Sequence, residues 1–289
     1  MGCLSRPRCC AVVADAGVWL DAVWPGARAT WGPVLGALAL RPTFEPAPVG
    51  AAPGPYATEL SWRFGASETA APGFRAAFAL DPARLPASWV RALMRRVAPG
   101  LDAVGQGSPW LGALLAANPA ALQFGVDGHQ RAKWYAYPPS GGSAAPLLRA
   151  LDLAAPADLP VAFVALDLFA DGRVERKRYL APPDRAATVA ALRARGADGL
   201  VEKVGALTDV ADRLAHALVL TERLDARGDL LDLTLHVRAA AAGNVVPPAG
   251  FPPIADRFAR ACPGHALRIT HHAWLTTGEA SVYAVARGC

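Results

Sequence analysis

Cysteine is scarce and badly placed for a scaffold. The five are Cys3, Cys9, Cys10, Cys262 and Cys289. An odd number crowded toward the two ends argues against a disulfide framework and for a reducing compartment. No CxxC pair occurs, which removes the usual zinc sites. No apolar run of about eighteen residues is long enough to span a membrane. The apolar stretch after Arg8 is interrupted by Asp15 and Asp21, which spoils it as a signal peptide. Charge is thin as well, at 18% of residues with a net of +5. That balance suits a basic pocket for an anion as well as it suits nucleic acid, and no basic helix interleaved with aromatics or nucleic-acid motif is present. The expectation is a cytoplasmic protein that binds neither membrane nor nucleic acid.

Several chemical signatures are also missing. There is no GxxxxGKS/T loop, no GxGxxG turn, no GxSxG elbow and no DDxxD carboxylate set for magnesium. Phosphate handling would therefore rest on protein cations. His271 and His272 are adjacent, but neighbouring strand residues point to opposite faces, so they do not read as a shared metal site.

What is present is alternation. In the stretch 122–138, Arg131, Lys133, Tyr135 and Tyr137 share one parity, while Ala132, Trp134 and Ala136 share the other. On a strand this makes one cationic and phenolic face and one apolar face. Residues 161–182 repeat the Lys-x-Tyr pair with Lys177 and Tyr179. Earlier, TELSWRF puts Glu59, Ser61 and Arg63 on one face, and the return strand GFRAAFAL carries Arg75 in an apolar run. Later, DLLDLTLHVRA sets Asp232, Thr234, His236 and Arg238 against Leu231, Leu233, Leu235 and Val237. The closing hairpin turns at Thr277-Gly278, with Arg268, Thr270 and His272 on one parity and Ser281 and Tyr283 together on the return.

Between these strands the spacing predicts helices over 11–40, 86–97, 109–118, 144–153, 185–195, 209–220 and 252–261, with a Pro/Gly/Ala-rich connector at 41–55. Arg75, Lys133, Lys177, Arg238 and Tyr283 recur at intervals of roughly 45 to 60 residues, which suggests a repeated unit of helix plus two strands. Five such units make about ten strands. Apolar faces need covering and helices are available to cover them. The polar faces then line the lumen of a closed, ten-stranded antiparallel β-barrel of α+β class, wide enough to stay hollow. The competing arrangement is an open sheet whose polar face meets water. One domain over 1–289 is expected, with N-terminal helices and linker at 1–55 and barrel repeats at 56–287.

Cations interleaved with phenols suit capture of a di- or triphosphate, with Arg as a fork and Lys as a point charge. Phenol rings can cover a carbocation with their negative faces. Glu59, in the same polar set, can accept a proton or hold an N–H donor, or can pair with Arg63 or Arg75.

These patterns resemble the ABBA-type aromatic prenyltransferases, and within them the dimethylallyltryptophan synthase group. TELSWRF with FRAAFALDP, RAKWYAYP and RKRYLAP carry the likeness, and in length the chain is nearer the bacterial members, including peptide prenyltransferases. The resemblance implies a metal-independent Friedel–Crafts alkylation with an isoprenyl diphosphate as co-substrate and no cofactor. It implies diphosphate binding by Arg75, Lys133, Lys177 and Arg238. Tyr135, Tyr179 and Tyr283 would shield the cation, and Glu59 would act as the catalytic group that orients an indole or other aromatic acceptor. His236, with Arg238, stands where the family carries other residues, and Arg268 is a further lumen candidate. The acceptor is a small aromatic molecule or a side chain of a peptide. A non-enzymatic alternative is a barrel that binds an anionic or aromatic ligand.

Overall fold

The structure, a computed structural model, describes residues 58–64, 73–80, 109–127, 131–169, 171–207, 216–239 and 265–288. The helices expected over 11–40, 86–97 and 252–261, and the connector at 41–55, lie outside the described residues.

Ten described strands follow the chain: β1 (Thr58–Phe64), β2 (Gly73–Leu80), β3 (Ala121–Asp127), β4 (Arg131–Tyr137), β5 (Val161–Phe169), β6 (Val174–Leu180), β7 (His216–Leu224), β8 (Leu230–Ala239), β9 (His265–Leu275) and β10 (Ala280–Gly288). Each pairs antiparallel with its neighbour in sequence, and β1 pairs with β10, so the sheet closes on itself. Four described helices are α1 (Pro109–Ala116), α2 (Ala145–Ala150), α3 (Arg185–Ala194) and α4 (Asp198–Ala206). Among the described residues no helix is long and apolar enough to cross a membrane.

The register carries the sequence alternation around the ring. Lys133 stands opposite Gly125 on one side and Asp167 on the other, and Tyr135 opposite Gln123 and Ala165. Lys177 stands opposite Ala165 and Arg223, and Tyr179 opposite Phe163 and Thr221. All of these point into the barrel. Around Lys133 and Asp167 the polar face is shut off from water: Lys133 is 2% exposed and Asp167 is completely buried.

The outward faces are apolar and lie under helices. Leu180 of β6, Leu220 of β7, and Leu233 and Leu235 of β8 pack with Leu192 of α3 and with Leu200 and Val204 of α4. Asp184 caps α3 by accepting the Ala187 N–H at 2.7 Å, which satisfies one of the helix's free donors. Arg176, on the outward face of β6, fastens loops to the barrel. It donates to Leu151 O at the end of α2 (2.7 Å) and to Asp225 O in the β7–β8 turn (3.0 Å).

One expected helix is corrected. Residues 209–220 read as helical from their spacing, yet 216–220 are the first half of β7, and 208–215 are outside the described residues. The segment HALVLTERL alternates as well as it repeats, with Val219 inward, where it lines the cavity, and Leu220 outward under the helices. Strand pairing with both β6 and β8 satisfies its backbone on two sides, and that context overrides local helical preference. The covering helix comes earlier, as α4. Gly199 and Gly205 obscured it, and the i, i+4 pair Leu200 and Val204 anchors it.

Candidate functional site

The lumen is divided by register into an ionic layer and an aromatic layer. The division follows from the Lys-x-Tyr spacing: residues two apart on a strand share a face but differ in depth.

The ionic layer centres on Asp167, in the middle of the otherwise apolar β5. Its Oδ2 accepts from Lys133 Nζ at 2.7 Å, Lys177 Nζ at 2.5 Å and Arg131 at 3.3 Å. A buried carboxylate is tolerable only when paired in this way. Burial pushes the Asp167 carboxyl up, but the three cations outweigh it and hold it far below the usual carboxylate range. Burial also pulls Lys177 below its ordinary value, against the attraction of Asp167. The other carboxylate oxygen of Asp167, Oδ1, is buried with no hydrogen-bond partner. Toward the adjoining strands, Glu175 accepts from Arg173 at 3.2 Å, and Arg223 lies 3.7 Å from Glu175 and 3.8 Å from Asp232.

The aromatic layer begins one step along the same strands. Tyr137, Phe163 and Tyr179 form a continuous stack, with ring centroids 4.6 Å and 4.0 Å apart. Tyr135 lies 6.1 Å from Tyr179 in a tilted arrangement. Across the barrel, Tyr283 stacks on His271 at 3.8 Å, and His236 is 5.7 Å from Tyr283. Tyr137 donates its hydroxyl to Gln123 Oε1 at 3.1 Å. His236 Nε2 and Thr221 Oγ1 are hydrogen-bonded at 2.9 Å. Burial raises the Tyr179 phenol well above its ordinary value, so it stays neutral across the working pH range. These rings enclose a cavity of about 480 Å³, part of it open to solvent. Glu59, Arg238, His236 and His271 also line it.

The structure thus brings Tyr135, Tyr179, Tyr283, Glu59, His236 and Arg238 around one cavity. Lys133 and Lys177 meet in the neighbouring ionic layer, on the carboxylate of Asp167. Arg75 stands opposite Ser61 and Asp127 in register, and Arg268 opposite Val285; their side chains are outside the described residues. Arg63 pairs with Glu279 at 3.4 Å.

The closing hairpin requires a correction. Simple alternation grouped Arg268, Thr270 and His272, but β9 carries a bulge: Tyr283 pairs with His271 and Ala284 with Ile269, which leaves Thr270 as an extra residue. Beyond the bulge the parity is reversed, so His271 faces the cavity. His272 packs edge-on against Trp274 at 4.4 Å.

Sequence reasoning also missed Asp167, Phe163 and His271. A lone Asp in VAFVALDLF was a usable signal, since a charge inside a buried strand demands partners on the next strands. Phe163 had no such signal. Among the described residues, no group of three or more His, Cys, Asp and Glu is arranged to hold a metal ion.

No family model matches the chain, and no curated protein matches it in sequence. Solved structures do resemble it along nearly its whole length. They include 5-dimethylallyltryptophan synthase from Streptomyces coelicolor, with 17% identity and a TM-score of 0.59 over 95% of this chain and 97% of that one. The prenyltransferase PriB, in a ternary complex with L-tryptophan and dimethylallyl thiolodiphosphate, has 19% identity and a TM-score of 0.60 over 94% and 95%. For 6-dimethylallyltryptophan synthase from Micromonospora olivasterospora, in complex with DMASPP and Trp, the identity is 17% and the TM-score 0.59 over 94% and 96%. The fold is therefore that of the ABBA-type aromatic prenyltransferases.

Proposed function

We propose that this protein is an aromatic prenyltransferase that moves a dimethylallyl group from its diphosphate to an indole acceptor of the tryptophan type. The observation that carries the reading is the pairing of layers in the lumen. Two lysines and an arginine converge at one depth, and a phenol-lined cavity lies one step along the same strands. Fixed cations can take the charge of a departing diphosphate, and phenol faces can shelter the allyl cation left behind. PriB has been solved with L-tryptophan and a dimethylallyl diphosphate analogue, which makes those the first substrates to try.

In the reaction the allylic C–O bond breaks and diphosphate leaves with the electron pair. Lys133, Lys177 and Arg75 hold the leaving group, with Arg238 at the cavity wall. Each ammonium has three N–H donors, so sharing Asp167 does not exhaust either lysine. The ring carbon of the acceptor then attacks the allyl cation, while Tyr135, Tyr179 and Tyr283 exclude water. Glu59 orients the acceptor N–H and enriches the ring in electron density. No metal takes part in this scheme.

Incubation with dimethylallyl diphosphate and L-tryptophan, with and without EDTA, tests the reading by product mass. Prenylated product in both conditions is expected. Absence of product across a panel of indole and phenol acceptors would point to a ligand-binding barrel instead. Loss of product in EDTA alone contradicts the metal-free scheme. Lys133→Ala removes a charged hydrogen bond worth about 1.5–3 kcal/mol, so the donor KM should rise about tenfold or more. Full turnover in both Lys133→Ala and Glu59→Gln would show that the site is misassigned.

A further inference from the structure

Alkylation of an aromatic ring leaves an arenium cation that must lose a proton, and His271 is placed to take it. The bulge at Thr270 turns His271 into the lumen, stacked on Tyr283, and bulges commonly re-aim side chains beside active sites. The extra residue also holds the ring. Thr270 Oγ1 donates its single hydrogen to Tyr283 O at 3.3 Å, and the same oxygen lies 3.1 Å from His271 Nδ1. A hydroxyl has one proton to give. The tautomer that satisfies both contacts has the hydrogen on Nδ1, donating to Thr270, and leaves the lone pair on Nε2, at the opposite edge of a ring that lines the cavity.

We propose that His271 Nε2 is the base that removes the arenium proton from the prenylated acceptor, and that Thr270 is the positioning residue that sets its tautomer. The inference rests on the prenyltransferase reading. The C–H bond breaks, its electron pair restores the aromatic ring, and the proton becomes the Nε2–H of an imidazolium. The imidazolium then passes it to water at the open side of the cavity. A base for this step must be unprotonated before the reaction starts. Burial, the Arg238 charge on β8, and His236 and His272 hold the His271 imidazole well below the usual histidine range. Tyr283 on β10 covers one face of the ring. A weak base suffices, because an arenium ion is a strong acid.

The test has two arms. In the free protein, ¹⁵N NMR of the His271 ring should show the Nδ1–H tautomer and a neutral ring at pH 6.5. An Nε2–H tautomer or a charged ring overturns the inference. In the second arm, turnover of L-tryptophan and its ring-deuterated form is compared. Wild type should show no primary isotope effect, because proton loss follows the slow step. His271→Gln should lower kcat about 10²-fold, in the lower part of what a positioned base supplies, with donor KM unchanged and a normal primary isotope effect exposed. Thr270→Val, which keeps the side-chain shape, should show the same change in weaker form. An isotope effect that stays silent in His271→Gln, or that emerges in Glu59→Gln instead, overturns the inference. If wild type transfers no prenyl group, the proposed function fails while the tautomer is still read.

Discussion

Asp167 illustrates how one side chain can set the character of a site. It places a full negative charge where three cations meet, with no exposed surface of its own. Its folded-state carboxyl lies below the unfolded value of about 3.9, so the unfolded chain binds its proton first as pH falls. Its contribution to stability is therefore complete above about pH 4 and is lost progressively below it. Urea midpoints measured from pH 7 to pH 3 should fall on the acid side for wild type. In Asp167→Asn the whole curve should be lower, because the cations lose their counterion, and the acid-side fall should be shallower. An equally steep fall in the variant would remove Asp167 as its source. The lone Asp was visible in the chain, but which cations answered it depended on strand neighbours and not on sequence neighbours.

At the scale of elements, the barrel depends on its cover. Leu192 of α3 is completely buried against Leu220 of β7 and Leu233 and Leu235 of β8. Leu192→Ala should cost about 2–5 kcal/mol, the usual range for a large-to-small change in a packed core, read as a shift in urea midpoint with unchanged slope. A cost near zero would mean that α3 is not fixed on the barrel. The strands were legible wherever apolar and polar residues alternate strictly, as in RAKWYAY and LLDLTLHVRA. The strand β7 was not, because HALVLTERL fits both periods and only its two pairing partners choose between them. The bulge in β9 was equally silent in the sequence. One unpaired residue reverses every side chain beyond it.

For the whole molecule, closure of the sheet is what encloses its polar face as an anion site. Lys133 and Lys177 lie on the strands either side of β5, and adjacent-strand register brings both onto Asp167 inside the ring. Pyrophosphate should therefore bind and stabilise the native state. At a hundredfold excess over its Kd the gain is about 2.7 kcal/mol, and the melting temperature should rise by several degrees in scanning fluorimetry. No shift in wild type would exclude the ionic layer as a diphosphate site, and a shift retained in full by Lys133→Ala would move the site elsewhere.

Alternation alone determined that polar and apolar faces exist, that Lys133, Tyr135, Lys177 and Tyr179 share one of them, and that helices are available to bury the other. Those are local properties, set by the period of two along a strand. The tertiary structure decided which residues lie side by side. It gathered the lysines and Arg131 on Asp167, stacked Tyr137, Phe163 and Tyr179 into a wall, and turned His271 inward in place of His272. Each of these depends on register between strands far apart in the chain, and register is fixed by pairing and packing across the sheet.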